Sequence, residues 1–114
     1  MSELDVAVVG DIGGTNARFA IVEPGSTNLR EVQILSCSDY ANLDDAFTEY
    51  LRQKKLDSVA TASIAFACPV HTDTIKMTNN HWAFSKSAMQ NKLGLRIFKC
   101  INDFTAMALG VPPL

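Results

Sequence analysis

The chain has 114 residues, 47% of them hydrophobic, and a formal net charge of −2. That is one domain's worth of chain, able to bury about two-thirds of its surface on folding. There is no basic tract to suit nucleic acid, no apolar run approaching the roughly 18 residues of a membrane span, and no basic flank or small-residue cleavage site in the opening MSELDVAVVG to mark a secretory signal.

Residues 5–9 form a short apolar run, which predicts a buried strand. Residues 18–22 alternate, with Phe19 and Ile21 on one side, and residues 31–35 alternate polar and apolar like a half-exposed strand. The turn formers Pro24-Gly25-Ser26-Thr27-Asn28 separate those two. Three strands joined by turns predict an antiparallel meander. The period then changes. Leu43, Ala46, Phe47, Tyr50 and Leu51 share one helical face, Asn42 caps it, Asp44 and Asp45 lie in the first turn, and Lys54 and Lys55 in the last.

Residues 59–67 read as a central strand, and 70–77 as a hairpin about Thr72-Asp73. Ser85 is a second N-cap, with Phe84 and Met89 spaced as a hydrophobic staple. Gly94 ends that helix. Residues 95–101 form the last strand, and 103–109 open a third helix. The order is β-β-β-α-β-hairpin-α-β-α, which predicts an α/β fold: a mixed five-stranded sheet with an antiparallel meander and flanking helices. The three cysteines, Cys37, Cys68 and Cys100, lack a C-x-x-C pair. They read as buried free thiols of a cytoplasmic protein rather than zinc ligands.

The chemistry gathers in three places. The first is GDIGGTN, residues 10–16. It matches neither G-x-G-x-x-G nor G-x-x-x-x-G-K-[ST], and it joins strand to strand rather than strand to helix. Gly13 and Gly14 lack a Cβ, so the backbone can come close to an anion and adopt positive φ. Successive N–H groups can converge on a phosphate, with Thr15 and Asn16 adding donors. Asp11 would repel that phosphate unless a cation lies between them, which suits Mg²⁺. A plain turn remains open, because Gly-Gly, Asp and Asn are common at hairpin tips; the segment is longer than a tight hairpin needs.

The second is Ile101-Asn102-Asp103-Phe104, where Asn-Asp follows a buried strand. Strand C-termini are where α/β sheets bind ligands, although Asn or Asp at this position is also an ordinary helix cap. The third is Met77-Thr78-Asn79-Asn80-His81-Trp82. Asparagine amides offer donor and acceptor together, as sugar hydroxyls require; the same residues also suit a loop that buries Trp82. His71 reads as an exposed hairpin residue, and Ala67-Cys68-Pro69-Val70 as a chain reversal.

Taken together, GDIGGTNARFAIV, then ACPV with MTNNHWAFS, then INDFTAMALGVP resemble the bacterial glucokinase family in residues, order and spacing across residues 6–113. The resemblance implies the ribonuclease-H-like (actin-like ATPase) fold and a two-domain sugar kinase. Residues 1–110 would be its small N-terminal domain, and 111–114 the start of a linker to a C-terminal domain missing from this chain. It implies ATP and Mg²⁺ as cofactors and glucose as substrate. By the same resemblance, Gly13, Gly14, Thr15 and Asn16 face the ATP phosphates and Asp11 approaches Mg²⁺ through water. Asp103 matches the catalytic base, Asn102 a sugar-hydroxyl ligand, and Asn79 a position facing the sugar pocket. Arg18 is left structural.

The implied reaction is transfer of the γ-phosphoryl group to the glucose 6-hydroxyl. The alternatives are a kinase for another hexose, a non-catalytic sugar sensor, and an actin-like assembly module. The fragment alone is expected to be inactive, and its exposed interdomain surface favours a homodimer.

Overall fold

The computed structural model describes residues 6–23, 28–56, 59–78 and 80–102. Strands β1 (Ala7–Ile12), β2 (Asn16–Val22) and β3 (Arg30–Ser36) precede a 3-10 turn (Cys37–Asp39) and helix α1 (Leu43–Gln53). There follow β4 (Thr61–Phe66), β5 (Thr74–Lys76), β6 (Ala83–Ser85), α2 (Lys86–Leu93) and β7 (Ile97–Asn102). The main sheet has the order β3-β2-β1-β4-β7. β1 is antiparallel to β2, and β2 to β3, whereas β1, β4 and β7 run parallel. The mixed five-stranded sheet with its meander is therefore present as expected.

One face of this sheet carries the core. Val8, Ile12, Phe19, Ile64 and Phe66 are fully buried there against Leu43, Phe47 and Tyr50 of α1, and Met89 of α2 joins the same cluster. Phe19 meets Phe47 edge-on, with ring centroids 5.9 Å apart, and Tyr50 at 5.4 Å. Gly10 lies beneath that ring: a Cβ there would stand 3.1 Å from Phe19 Cδ1 and 3.3 Å from Ile64 Cγ2. Its small size is thus a packing requirement of the sheet. The other face carries Val32, Ile34 and Ile97, exposed at 51, 52 and 48%.

The helix ends follow the predicted chemistry. The Asn42 side chain accepts from the Leu43 amide, and the Ser85 hydroxyl oxygen accepts from the Ala88 amide. Gly94 closes α2 in the left-handed conformation, φ 68°. The last-turn cation of α1 is Arg52; Lys54 is the C-cap.

Three expectations need correction. β1 begins and ends later than the apolar run, because the alternation extends through Asp11 to the buried Ile12. The hairpin is therefore tight, with Gly13, Gly14 and Thr15 alone between its strands. The hairpin about Thr72-Asp73 is absent. Instead β5 pairs with β6, Ile75 opposite Phe84, because Asp73 is engaged at the start of α2. Its carboxylate accepts from the Ser85 hydroxyl and the Ser87 amide, and its backbone carbonyl from the Lys86 amide. The third helix expected at 103–109 lies outside the described residues, as do residues 24–27 of the predicted turn.

Candidate active site

The parallel strands β1, β4 and β7 end together, with Ile12, Phe66 and Asn102 in one row across the sheet. At about 4.8 Å per strand, the row spans roughly 10 Å. Each sequence segment singled out for chemistry except the asparagine loop leaves the sheet at this edge. The glycine turn follows β1. The Ala67–Cys68 turn follows β4 and is tied to β1 by the Ala67 amide, which donates to the Ile12 carbonyl at 3.1 Å. Asn102 closes β7, and its Nδ2 donates to the Cys68 carbonyl at 2.6 Å. Strand C-termini of this kind are where α/β sheets hold ligands.

The glycine turn is closed by the Gly13 amide donating to Asn16 O at 3.0 Å. Asp11, Gly13, Gly14, Thr15, Asn16, Arg18 and Ile34 line an open groove of about 410 Å³. Asp11 and Arg18 sit opposite each other in the β1–β2 ladder. Both therefore project from the face opposite the core, with the turn above them. Among the described residues, a Cβ on Gly13 would meet nothing nearer than Asn16 O at 3.8 Å. No packing among them requires glycine at position 13, and its φ lies outside the left-handed region. What the missing Cβ provides is free backbone at the groove, as close approach of an anion requires.

The asparagine loop reaches this edge from the β5–β6 ribbon. Trp82 is fully buried, and its indole N–H donates to Tyr40 O at 3.2 Å, so its core-packing reading holds. His81 Nε2 lies 2.7 Å from the same carbonyl. Asn80 Nδ2 donates to Gly13 O at 3.0 Å, joining the loop to the glycine turn. A second depression of about 300 Å³ lies on this side of the turn, lined by Gly14, Thr15, Cys37, Ser38, Asn80 and His81. Burial pushes the Cys37 thiol up, partly offset by the hydrogen bond with the Asn80 side chain. It is a packed thiol rather than a nucleophile, and all three cysteines are free.

The structure thus gathers Asp11, Gly13, Gly14, Thr15, Asn16 and Asn102 at one edge. Asn79 and Asp103 lie outside the described residues, immediately before Asn80 and after Asn102. Sequence reasoning passed over two neighbours of the turn. Arg18 reads as structural in the sequence, although the alternation of Phe19 and Ile21 puts it on the face away from the core. Asn80 reads as one residue of the asparagine loop, and nothing in the linear sequence links it to Gly13.

Among the described residues, no group of three or more His, Cys, Asp or Glu could hold a metal. Asp11 is a single carboxylate at the groove. That fits Mg²⁺, which takes one or two carboxylates and completes its shell with water and phosphate oxygens.

Comparison with known proteins agrees with this architecture. The family model described as Glucokinase matches residues 8–114. A glucokinase of Hahella chejuensis is 60% identical over 110 residues, covering 96% of this chain and 34% of that protein. The chain spans about a third of the length of the curated relatives it matches. Among solved structures, a glucokinase from an Antarctic psychrotroph superposes with a TM-score of 0.85 at 30% identity, covering 96% of this chain and 36% of that one. A ROK family glucokinase from Streptomyces griseus, solved with glucose and AMPPNP, shares the fold: TM-score 0.58, 18% identity, 92% of this chain and 35% of that one. With the sheet order, the glycine turn and the family match all in agreement, the chain belongs to the glucokinase family.

Proposed function

We propose that this chain supplies the phosphate-facing lobe of an ATP-dependent glucokinase that phosphorylates glucose at its 6-hydroxyl in the cytoplasm. In this reading residues 1–110 are the small N-terminal domain and 111–114 open the linker to a C-terminal one. The observation that carries it is the convergence of the glycine turn and Asn102 at one edge of the parallel strands, in a chain of this family. The solved relative bound to glucose and AMPPNP supports both ligands.

Each residue has a task suited to its chemistry. Of the Gly13–Asn16 turn, whose Gly13 amide is engaged by Asn16 O, the Gly14 amide meets phosphate oxygens, and Thr15 adds a hydroxyl. Asp11 faces Mg²⁺ through water, and the ion when bound neutralises phosphate charge. Asn102 orients a sugar hydroxyl. Asp103 takes the proton of the 6-hydroxyl as its oxygen bonds to the γ-phosphorus and the bond to ADP breaks. A carboxylate with an ordinary pKa near 4 cannot remove that proton early. Its main contribution is to hold the oxygen in line, since phosphoryl transfer depends on positioning and charge stabilisation. The half-exposed Val32, Ile34 and Ile97 support a second proposal, that the chain by itself pairs with another copy through this sheet face.

The test is a chimaera in which this chain replaces the matching third of the Hahella chejuensis glucokinase, assayed with ATP, Mg²⁺ and a panel of hexoses. Glucose turnover that falls about 10²- to 10⁴-fold in Asp103→Asn is the expected result. Turnover of another hexose instead would change the substrate. Sugar binding without turnover would replace the kinase with a sensor.

A further inference from the structure

The glycine turn is held from outside its own hairpin. The Gly13 carbonyl accepts from Asn80 Nδ2 at 3.0 Å and receives the Cys37 thiol at 3.7 Å. The Cys37 amide donates to Thr15 O at 2.9 Å. Asn80 is itself fixed, because its Oδ1 accepts from the Trp82 amide at 2.8 Å. Trp82 is anchored in turn by full burial, by its indole bond to Tyr40 O, and by its carbonyl, which accepts from the Met77 amide at 2.9 Å. An unbroken series of contacts therefore runs from the core, through Trp82 and Asn80, to one carbonyl of the turn.

That carbonyl matters because of what shares its peptide plane. The Gly13 C=O and the Gly14 N–H belong to one trans peptide and point in opposite directions. The carbonyl points toward Asn80 and Cys37, two of the residues that line the smaller depression. The Gly14 amide must then point the other way, toward the groove lined by Asp11, Thr15 and Arg18. Among the described residues no backbone acceptor takes the Gly14 amide, so it is available to a ligand. Glycine on both sides of the peptide leaves it free to flip, and the turn alone does not choose between the two orientations.

We infer that Asn80 is a positioning residue: by holding the Gly13 carbonyl, its side-chain amide keeps the Gly14 N–H aimed into the groove, ready for a phosphate oxygen. The role of that amide toward phosphate rests on the kinase reading; the orientation does not. Asn80→Asp isolates the effect. It keeps the acceptor for the Trp82 amide and replaces the donor with a carboxylate that repels the Gly13 carbonyl.

The ¹⁵N-labelled chain decides the orientation by N–H residual dipolar couplings. The expected result is that Asn80→Asp and Asn80→Ala change the Gly14 coupling while those of Phe19 and Ile64 in the sheet stay as in wild type. In Asn80→Asp, the Gly14 amide should also exchange more slowly with solvent, since a flip turns it onto the introduced carboxylate. A Gly14 coupling unchanged in Asn80→Asp overturns the inference, whatever becomes of the Ala variant.

The chimaera then reads the consequence. In Asn80→Asp, KM for ATP should rise about tenfold, the equivalent of one hydrogen bond to a charged group, with KM for glucose near wild type. Equal rises in both, or none, would reduce Asn80 to a structural contact. An inactive wild-type chimaera would instead remove the kinase reading and leave the dipolar couplings to decide the orientation.

Discussion

Gly10 and Gly13 lie three positions apart in one segment, and their surroundings give them opposite roles. At Gly10 a Cβ would press on Phe19 and Ile64, and Phe19 cannot retreat because Phe47 and Tyr50 are packed against it. Gly10→Ala is expected to destabilise the fold by about 1–3 kcal/mol, the usual result of overpacking a filled core. At Gly13, among the described residues, the added carbon meets only Asn16 O at an ordinary distance, with φ outside the left-handed region. Gly13→Ala should leave stability unchanged or raise it by up to about 1 kcal/mol, by restricting the unfolded chain. Urea titrations of the two variants check this. A Gly13→Ala loss as large as that of Gly10→Ala would mean that the turn needs its glycine for folding. The sequence displays both glycines identically; only the neighbours above each position separate packing from ligand access. Asn80 was hidden for the same reason, since its partner lies 67 residues away.

At the level of elements, periodicity carried most of the information. The apolar stripe of α1 and the caps Asn42, Ser85 and Gly94 fall where local chemistry puts them, because each depends on neighbours within a few residues. The hairpin about Thr72-Asp73 failed because a polar pair can serve a turn or a cap, and here Asp73 serves α2. Its carboxyl is held below the ordinary range, chiefly by the Ser85 hydroxyl and then by the Ser87 amide. A folded-state value below the unfolded one stabilises the fold at pH above the unfolded value and ceases to do so as pH falls through the folded value. The melting temperature of wild type should therefore exceed that of Asp73→Asn at about pH 7, and the gap should close as pH falls below the ordinary aspartate value of about 3.9. Thermal melts by circular dichroism across that range measure it. A gap independent of pH would mean that Asp73 acts through its shape and not its charge.

For the whole molecule, the layer arrangement was legible because the change from alternating strands to helix-period segments orders a mixed sheet. The covered face is legible in β2 from Phe19 and Ile21 but not in β3, whose apolar Val32 and Ile34 lie on the opposite face. The described helices both cover the face of Phe19 and Ile64, and leave Val32, Ile34 and Ile97 half exposed on the other. The proposed pairing through that face predicts a monomer–dimer equilibrium by sedimentation, shifted toward monomer in Val32→Glu/Ile97→Glu. Purely monomeric wild type at high concentration would count against it. The groove at the sheet edge is open, and the chain is about a third as long as its curated relatives, so the kinase reading requires the rest of the cleft.

If the turn after β1 holds the ATP phosphates, the kinetics of Gly13→Ala in the chimaera will register it. The fold tolerates the added methyl group, so any effect must come from the groove. The expected KM for ATP is at least about tenfold higher, on the scale of one lost hydrogen bond to a charged group, with a melting temperature no lower than wild type and KM for glucose close to wild type. A KM for ATP equal to that of the parent would contradict it.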